Sequence, residues 1–355
     1  MAGAPVPRKA FAKVRIRRYV LSGLAVALAV AIGLGAWATL AEGRIQAEGW
    51  RTLMIGGVAR GSVYAIIAVG YTLVYGILFL INFAHGEVFM AGAFSTLFVA
   101  QGLERTGFLN SRPIVSIAIL FASSMLISML VALALERVAY RPLASAPRLI
   151  LLITAIGSSF FLQYTFLGLF GPSSVAYPDI DLLKGDALGG LMSRKQMIVM
   201  VAALILMLGL HLFIQQTKMG RAMRAVGEDR EAASLMGIDI DRVVVSTFAI
   251  SGLLAGAAGI LFVFLFNQVR FFMGIAPGIK AFTAAVLGGI GNVLGAAVGG
   301  LILGVAESLG PILLLSGVDV PSPNQLQPVV AFGILVLVLI FRPNGILGSF
   351  EPRDT

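Results

Sequence analysis

Residues 196–215 read QMIVMVAALILMLGLHLFIQ, twenty positions with no Asp, Glu, Lys or Arg among them. A helix of that length rises about 30 Å, the thickness of a bilayer's hydrocarbon core. Arg194 and Lys195 stand before the run and Lys218 after it, so the charges mark its two ends. In lipid, a helix satisfies its own backbone hydrogen bonds, and a stretch of this kind therefore predicts a spanning helix.

Working outward, the same pattern recurs at 19–41, 52–80, 84–101, 113–135, 149–170, 243–266, 279–293, 295–315 and 326–341. The fold class that follows is all-α: a polytopic membrane helix bundle of about 10 transmembrane helices. One of these is an extra N-terminal helix, about 8–9 are core crossings, and some segments are broken or re-entrant. Composition agrees. The 355 residues are 58% hydrophobic and 12% charged, whereas a soluble domain carries about 25% charge. The chain is read as forming a path across the bilayer rather than acting on a substrate in water.

The net charge of +9 raises nucleic acid as a partner, but the Lys and Arg residues cluster at the ends of apolar runs, where the positive-inside bias puts them. Arg137, Arg141 and Arg148 share one connection, and Lys218, Arg221, Arg224, Arg230 and Arg242 share another. Both fall on the cytoplasmic side when the N-terminus is cytoplasmic, and the C-terminus then lies there too. The opposite connection, 171–195, carries Asp179, Asp181 and Asp186 among Pro, Gly and Ser. Residues 1–18 hold six Lys and Arg ahead of the 19–41 run. That run exceeds the roughly 7–15 residues of a signal-peptide core, which favours a retained helix over a cleaved leader.

Polar residues inside apolar runs are costly, so their positions carry information. Asn82, His85 and Glu87 lie within six positions at the junction of two runs. Two readings remain open there: lining of a pathway, with Tyr71 and Tyr75 nearby, or a structural network in which Asn82 and Glu87 cap helix ends while His85 bonds a carbonyl. Glu307 and Gln163 are further polar intrusions, Glu307 being placed near a helix end. A second interrupted stretch contains Gly288, Gly289, Gly291 and Asn292, and paired interruptions in the two halves of a chain point to a translocation site. Gly252 with Gly256, and Gly291, Gly295 and Gly299 beside Gly300 and Gly304, have the small-residue spacing of close helix packing.

Lys218 to Arg242 reads as an amphipathic helix divided at Gly227 and closed by Gly237, offering a face to lipid headgroups or to a soluble partner. Cysteine is absent and only His85 and His211 are present, which excludes thiolate chemistry and a histidine metal cluster. No Gly-Lys dipeptide occurs, so no Walker A loop is present, and the glycines at 289, 291 and 295 miss the dinucleotide-binding spacing. No enzyme constellation and no bound cofactor are expected.

Gly70 to Gly76, Ile81 to Glu87, Glu136 to Pro142 and Ala281 to Gly295 occur in an order that resembles the permease family of branched-chain amino acid ABC transporters, the H-type subunit. The likeness runs from about Arg51 to Gly348. It implies a bacterial inner-membrane importer built from two related permeases, two cytoplasmic ATPases that use ATP, and a periplasmic protein that captures leucine, isoleucine or valine. It divides the chain into a basic segment 1–18, an extra helix 19–41, a permease domain 51–348 with a coupling loop at 216–242, and a tail 349–355. Gly220, Arg221, Arg224, Glu228, Glu231, Ala232, Ala233 and Gly237 form the coupling loop in this reading. The family's Leu-Pro after that glycine is replaced by Ile238 to Asp241, and residues 1–50 have no family counterpart. The same machinery carrying urea, short amides or other amino acids is an alternative. An ion-coupled transporter or channel, with Glu87 and His85 as a proton relay, is another.

Overall fold

The computed structural model describes residues 45–144, 146–316, 320–342 and 344–348, with 23, 30, 33–41 and 43 before them. The expected segment 1–18 and tail 349–355 lie outside these residues, as does much of the expected helix 19–41, of which 33–41 are helical.

Eight helices among the described residues are long and apolar enough to cross a membrane. They are α1 (Ala47–Leu78), α2 (His85–Arg105), α4 (Pro113–Leu135), α5 (Arg148–Phe170), α6 (Arg194–Gln216), α9 (Ile240–Phe266), α11 (Val293–Leu315) and α12 (Gln327–Phe341, with a preceding turn from Pro323). Shorter helices are α3 (Phe108–Ser111), α7 (Lys218–Glu228), α8 (Arg230–Leu235) and α10 (Ile275–Gly288). Local chemistry sets several boundaries. Ser193 and Gln196 form a reciprocal cap at the start of α6, which begins two residues before the apolar run does. Pro113 opens α4, where its missing N–H costs nothing.

One expected crossing is corrected. The helix placed at 279–293 runs from Ile275 to Gly288, about 21 Å, too short to span the bilayer. It stops because Gly289 and Gly291 adopt φ of +109° and +97°, a left-handed backbone that ends a helix. The bundle contains an incomplete helix rather than a further crossing there.

Helices α1, α2 and α9 form the buried centre, while α4, α5, α6 and α12 turn large apolar side chains outward, among them Leu130, Phe161, Leu208 and Val336. Such surfaces suit hydrocarbon. Small residues join the central helices. Gly57, Gly61 and Ala65 of α1 run against Gly300, Gly304 and Ser308 of α11. A Cβ on Gly57 would sit 2.9 Å from Val305 Cα, and one on Gly61 2.9 Å from the Gly300 oxygen. Gly252 and Gly256 of α9 fit α4 in the same way, where Ser124 Oγ donates to the Gly256 carbonyl at 2.7 Å. Close backbones and hydroxyls replace a hydrophobic driving force that is absent between helices in lipid. Two small antiparallel pairs lie on one face: β1 (Val175–Ala176) with β4 (Gln268–Val269), and β2 (Asp186–Ala187) with β3 (Met192–Ser193). Helices α7 and α8 lie on the opposite face.

Candidate translocation site and docking face

The break between α1 and α2 is built by Phe79 and Asn82. Phe79 takes a left-handed conformation, φ +51°, and its N–H donates to the Tyr75 carbonyl at 2.8 Å, ending α1. Buried Asn82 Oδ1 accepts the Ala84 N–H at 3.1 Å and the Tyr140 hydroxyl at 2.6 Å. Asn82 therefore turns the chain into α2 and ties that turn to the π-helical extension of α4, Glu136–Tyr140.

The next residues enter the core. His85 Nδ1 lies 3.3 Å from Ser251 Oγ of α9, whose hydroxyl lies 3.1 Å from the Gly70 carbonyl and donates to it. The His85 ring stands edge-on to Tyr71 at 4.8 Å, and a Cβ on Gly70 would come 2.5 Å from its Nε2. Glu87 is 1% exposed; its Oε1 accepts from Ser159 of α5 at 3.5 Å while Oε2 has no hydrogen-bond partner among the described residues. The structural-network reading thus fits Asn82 and also His85, which meets both Ser251 and the backbone of Ile67, whereas Glu87 caps no backbone group among the described residues.

The partner of this break is not the stretch that sequence spacing suggests. Gly86 packs against Gly274 and Gly278: a Cβ on Gly86 would be 2.6 Å from the Gly274 oxygen and 3.2 Å from Gly278 Cα. Chain 267–274, leaving α9 through left-handed Asn267 at φ +53°, returns into the bundle and starts α10 beside the start of α2. Two helix N-termini, each with partial positive charge, thereby converge, and Glu87 Oε2 lies 2.7 Å from the position a Gly274 Cβ would take. The convergence offers a setting for a carboxylate, and Glu87 itself supplies one. Phe282 of α10 closes the side, 6.4 Å from Tyr71 and 5.9 Å from Phe83 between ring centres.

Gly288 to Asn292 lies elsewhere. Gly288 packs on Gly295, and Gly289 on residues 344–348, where Leu347 N–H donates to the Gly288 carbonyl at 3.0 Å. Asn292 Oδ1 caps α11 through the Gly295 N–H at 3.0 Å, and its Nδ2 donates to the Leu347 carbonyl at 2.9 Å. Gly291 and Asn292 line a cavity of about 640 Å³ with Tyr75, His211 and Arg224, on the α7 face. The nine pathway candidates therefore separate. Tyr71, Asn82, His85 and Glu87 share the break; Tyr75, Gly291 and Asn292 border the cavity; Gly288 and Gly289 serve a turn.

Sequence reasoning passed over Gly274 and Gly278, and a stripe on α1. Arg60, Tyr64, Tyr71 and Tyr75 fall within about 60° of arc at 3.6 residues per turn, along about 22 Å of helix. Their spacing of 4, 7 and 4 was the available signal. Glu307 also departs from its expected position near a helix end: it lies inside α11, buried, and ion-pairs with Lys280 of α10.

On the other face, Thr217 Oγ1 caps α7 through the Gly220 N–H at 3.0 Å, and Gly220 sits so tightly on the Ile214 backbone that a Cβ would collide. Arg224 reaches back to Gln215 at 2.7 Å, and Arg221 to the Gln216 carbonyl at 3.4 Å. The expected division at Gly227 is displaced: α7 continues through Glu228, and Asp229 starts α8 by accepting the N–H groups of Glu231 and Ala232 at 2.9 and 3.0 Å. Gly237, φ +82°, closes α8 as expected. Ala233, Met223 and Val226 are buried with Ile77 at the end of α1 and Val243 at the start of α9. Glu231 and Ala232 face outward, and Leu235 and Met236 stand 89% and 83% exposed.

A bundle with a polar break at converging helix starts, an inner cavity and an amphipathic platform seated on the broken helix has the layout of a membrane transport subunit. The family model described as "Branched-chain amino acid transport system / permease component" matches residues 53–339. The chain is 43% identical over 305 residues to the high-affinity branched-chain amino acid transport system permease protein BraD of Pseudomonas aeruginosa, covering 84% of this chain and 95% of that protein. It is 41% identical, with the same coverage, to the permease protein LivH of Escherichia coli K12. The chain belongs to the branched-chain amino acid transport permease family.

Proposed function

We propose that this chain is one membrane-spanning half of an ATP-driven importer for leucine, isoleucine and valine in a bacterial inner membrane. Its partners in this reading are a second related permease, two cytoplasmic ATPases that bind and hydrolyse ATP, and a periplasmic binding protein. The α7–α8 face is then cytoplasmic and the β1–β4 face periplasmic, consistent with the basic connections on the former. No cofactor is assigned to this chain.

The observation that carries the proposal is the seating of the platform. Met223, Val226 and Ala233 pack on Ile77, one residue before α1 ends, and a Cβ on Gly227 would sit 2.8 Å from the Gly76 oxygen. A force applied to α7 and α8 therefore reaches the end of α1 without an intermediate, and from there the break at Phe79 to Glu87. Exposed Leu235 and Met236, adjacent at the end of α8, give an ATPase an apolar contact on this face. ATP binding draws the paired platforms together, the ends of α1 and α9 shift, and the contact between the α2 and α10 starts opens toward the inner cavity.

Replacing Leu235 and Met236 with Asp tests this reading. The full complex is expected to lose its ATPases on purification while the permease pair remains inserted; retention of stoichiometric ATPase with normal leucine uptake would contradict the docking assignment.

A further inference from the structure

A second cavity, of about 310 Å³, lies between α1, the end of α9, segment 268–274, α10 and α11, on the β1–β4 side of the break. Its size falls at the low end of the range for small-molecule sites, about 300–1,000 Å³. Its lining combines three kinds of group that a simple packing defect does not need.

The first is a carboxylate with spare capacity. Glu307 is 1% exposed; Lys280 takes its Oε1 and the Tyr64 hydroxyl stands beside the carboxylate, while Oε2 has no hydrogen-bond partner among the described residues. A buried acceptor left in that state is costly unless another donor arrives. The second is unspent positive charge. Arg60, half-buried, meets only neutral acceptors: Gln327 Oε1 and Ser308 Oγ, each at 3.3 Å, and the Gly56 carbonyl at 3.4 Å. None of the described carboxylates pairs with it. Lys280 also points at Tyr64, 3.4 Å from its hydroxyl, and α10 begins at this wall with no side-chain cap, leaving the Ile275 and Ala276 N–H groups without intrahelical partners. The third is an apolar wall of Phe262, Phe266, Phe272, Met273 and Ile275, over which Arg270 lies 4.7 Å from the Phe272 ring centre.

We propose that this cavity is a binding station for the zwitterion of an α-amino acid with an apolar side chain. Glu307 Oε2 receives the ammonium, Arg60 and the start of α10 receive the carboxylate, and the Phe272 wall receives the side chain. A lone anion would meet the Glu307 oxygen, and a lone cation would meet Arg60, Lys280 and Arg270; only a ligand with both charges one carbon apart satisfies both. The Lys280–Glu307 pair need not break, because the free oxygen is the one used. Arg60 and Tyr64 continue along the α1 stripe to Tyr71 at the break and Tyr75 at the inner cavity, so the station opens the same route. The inference rests on the importer reading for its direction and for the choice of leucine as probe.

The test measures equilibrium binding to the purified importer complex without its binding protein, using leucine, 4-methylpentanoate, which lacks the ammonium, and isopentylamine, which lacks the carboxylate. Wild type is expected to bind leucine about tenfold or more tighter than either analogue. Glu307→Gln is expected to weaken leucine about tenfold while leaving 4-methylpentanoate within about twofold, and Arg60→Gln to weaken leucine and the acid together while sparing the amine. Equal losses for all three ligands, or no saturable leucine binding in wild type, would overturn the proposal. If Glu307→Gln fails to assemble, Phe272→Ala decides: it should shift preference from leucine toward phenylalanine, and an unchanged preference overturns the site. Uptake by the same complex reports separately on the importer reading. Glu307-dependent leucine binding without leucine uptake sinks that reading and keeps the site, whereas uptake with binding indifferent to Glu307→Gln sinks the site and keeps the reading.

Discussion

Gly61→Ala places a methyl group where α1 and α11 touch backbone to backbone. The new Cβ would lie 2.9 Å from the Gly300 oxygen and 3.0 Å from both Leu301 Cα and the Leu301 oxygen. Ordinary contacts of this kind begin near 3.4 Å, and all three neighbours are backbone atoms, so no rotamer change relieves the overlap. The helices must separate by several tenths of an ångström along a seam that includes Gly57, Ala65, Gly300 and Gly304. Overpacking of this kind costs about 1–3 kcal/mol. Gly304→Ala loads the same contact from the other side, against Gly61 itself. Once the helices have moved apart for one methyl group, the second finds space, so the double variant should cost less than the sum of the single ones. Gly209→Ala is the control: none of the described residues lies within 4 Å of its Cβ position, and an exposed helical Gly→Ala change gains about 0.5–1 kcal/mol. The assay is loss of the monodisperse peak on size-exclusion chromatography after heating in detergent, since the chain has no cysteine for thiol dyes. An unchanged Gly61→Ala midpoint, or strict additivity in the double variant, would refute the account of the seam.

Three further outcomes follow from the break and the platform. Tyr140→Phe removes one hydrogen bond to Asn82, worth about 0.5–1.5 kcal/mol, and should slow leucine uptake by the assembled importer without preventing assembly; unchanged uptake would reduce the tie to packing alone. Gly227→Val drives α7 away from Gly76 and should leave ATP hydrolysis running while uptake falls, a ratio read from the same vesicles, and proportional loss of both would argue against force passing through that contact. Gly237→Ala forces a Cβ into φ +82°, at a cost of roughly 1–2 kcal/mol, and should loosen α8 enough for protease to cut near Leu235 in the isolated permease.

The crossings were legible because apolar length is a one-dimensional quantity. The run 196–215 lies inside α6, Arg194–Gln216, whose ends are set by the Ser193–Gln196 cap and by Thr217, within three residues of the charges that fence the run. The failure at 279–293 has a definite cause: apolar composition continues from Ile275 past Gly288, and only the left-handed φ of Gly289 and Gly291 ends α10. Gly237 is a helix stop because its φ of +82° suits glycine, whereas Gly227 lies within α7, where glycine is tolerated, and Asp229 holds the cap of α8. The polar break at Asn82 to Glu87 stood out by its cost in lipid, but its counterpart did not. Gly274 and Gly278 carry no polar side chain, and their role depends on Asn267 turning the chain back into the bundle. Glu307 was visible as an oddity, while its pairing with Lys280, 27 positions away, is a property of two helices packed side by side.

The most direct test of the central claim is leucine accumulation by proteoliposomes holding this chain with its partner permease and ATPases, with ATP inside the ATPase-facing compartment and binding protein on the opposite side. The account predicts uptake that requires both ATP and the binding protein, and none from this chain alone under a proton gradient. Uptake by the single chain driven by that gradient, with ATP and binding protein absent, would contradict it and return Glu87 and His85 to the role of a proton relay.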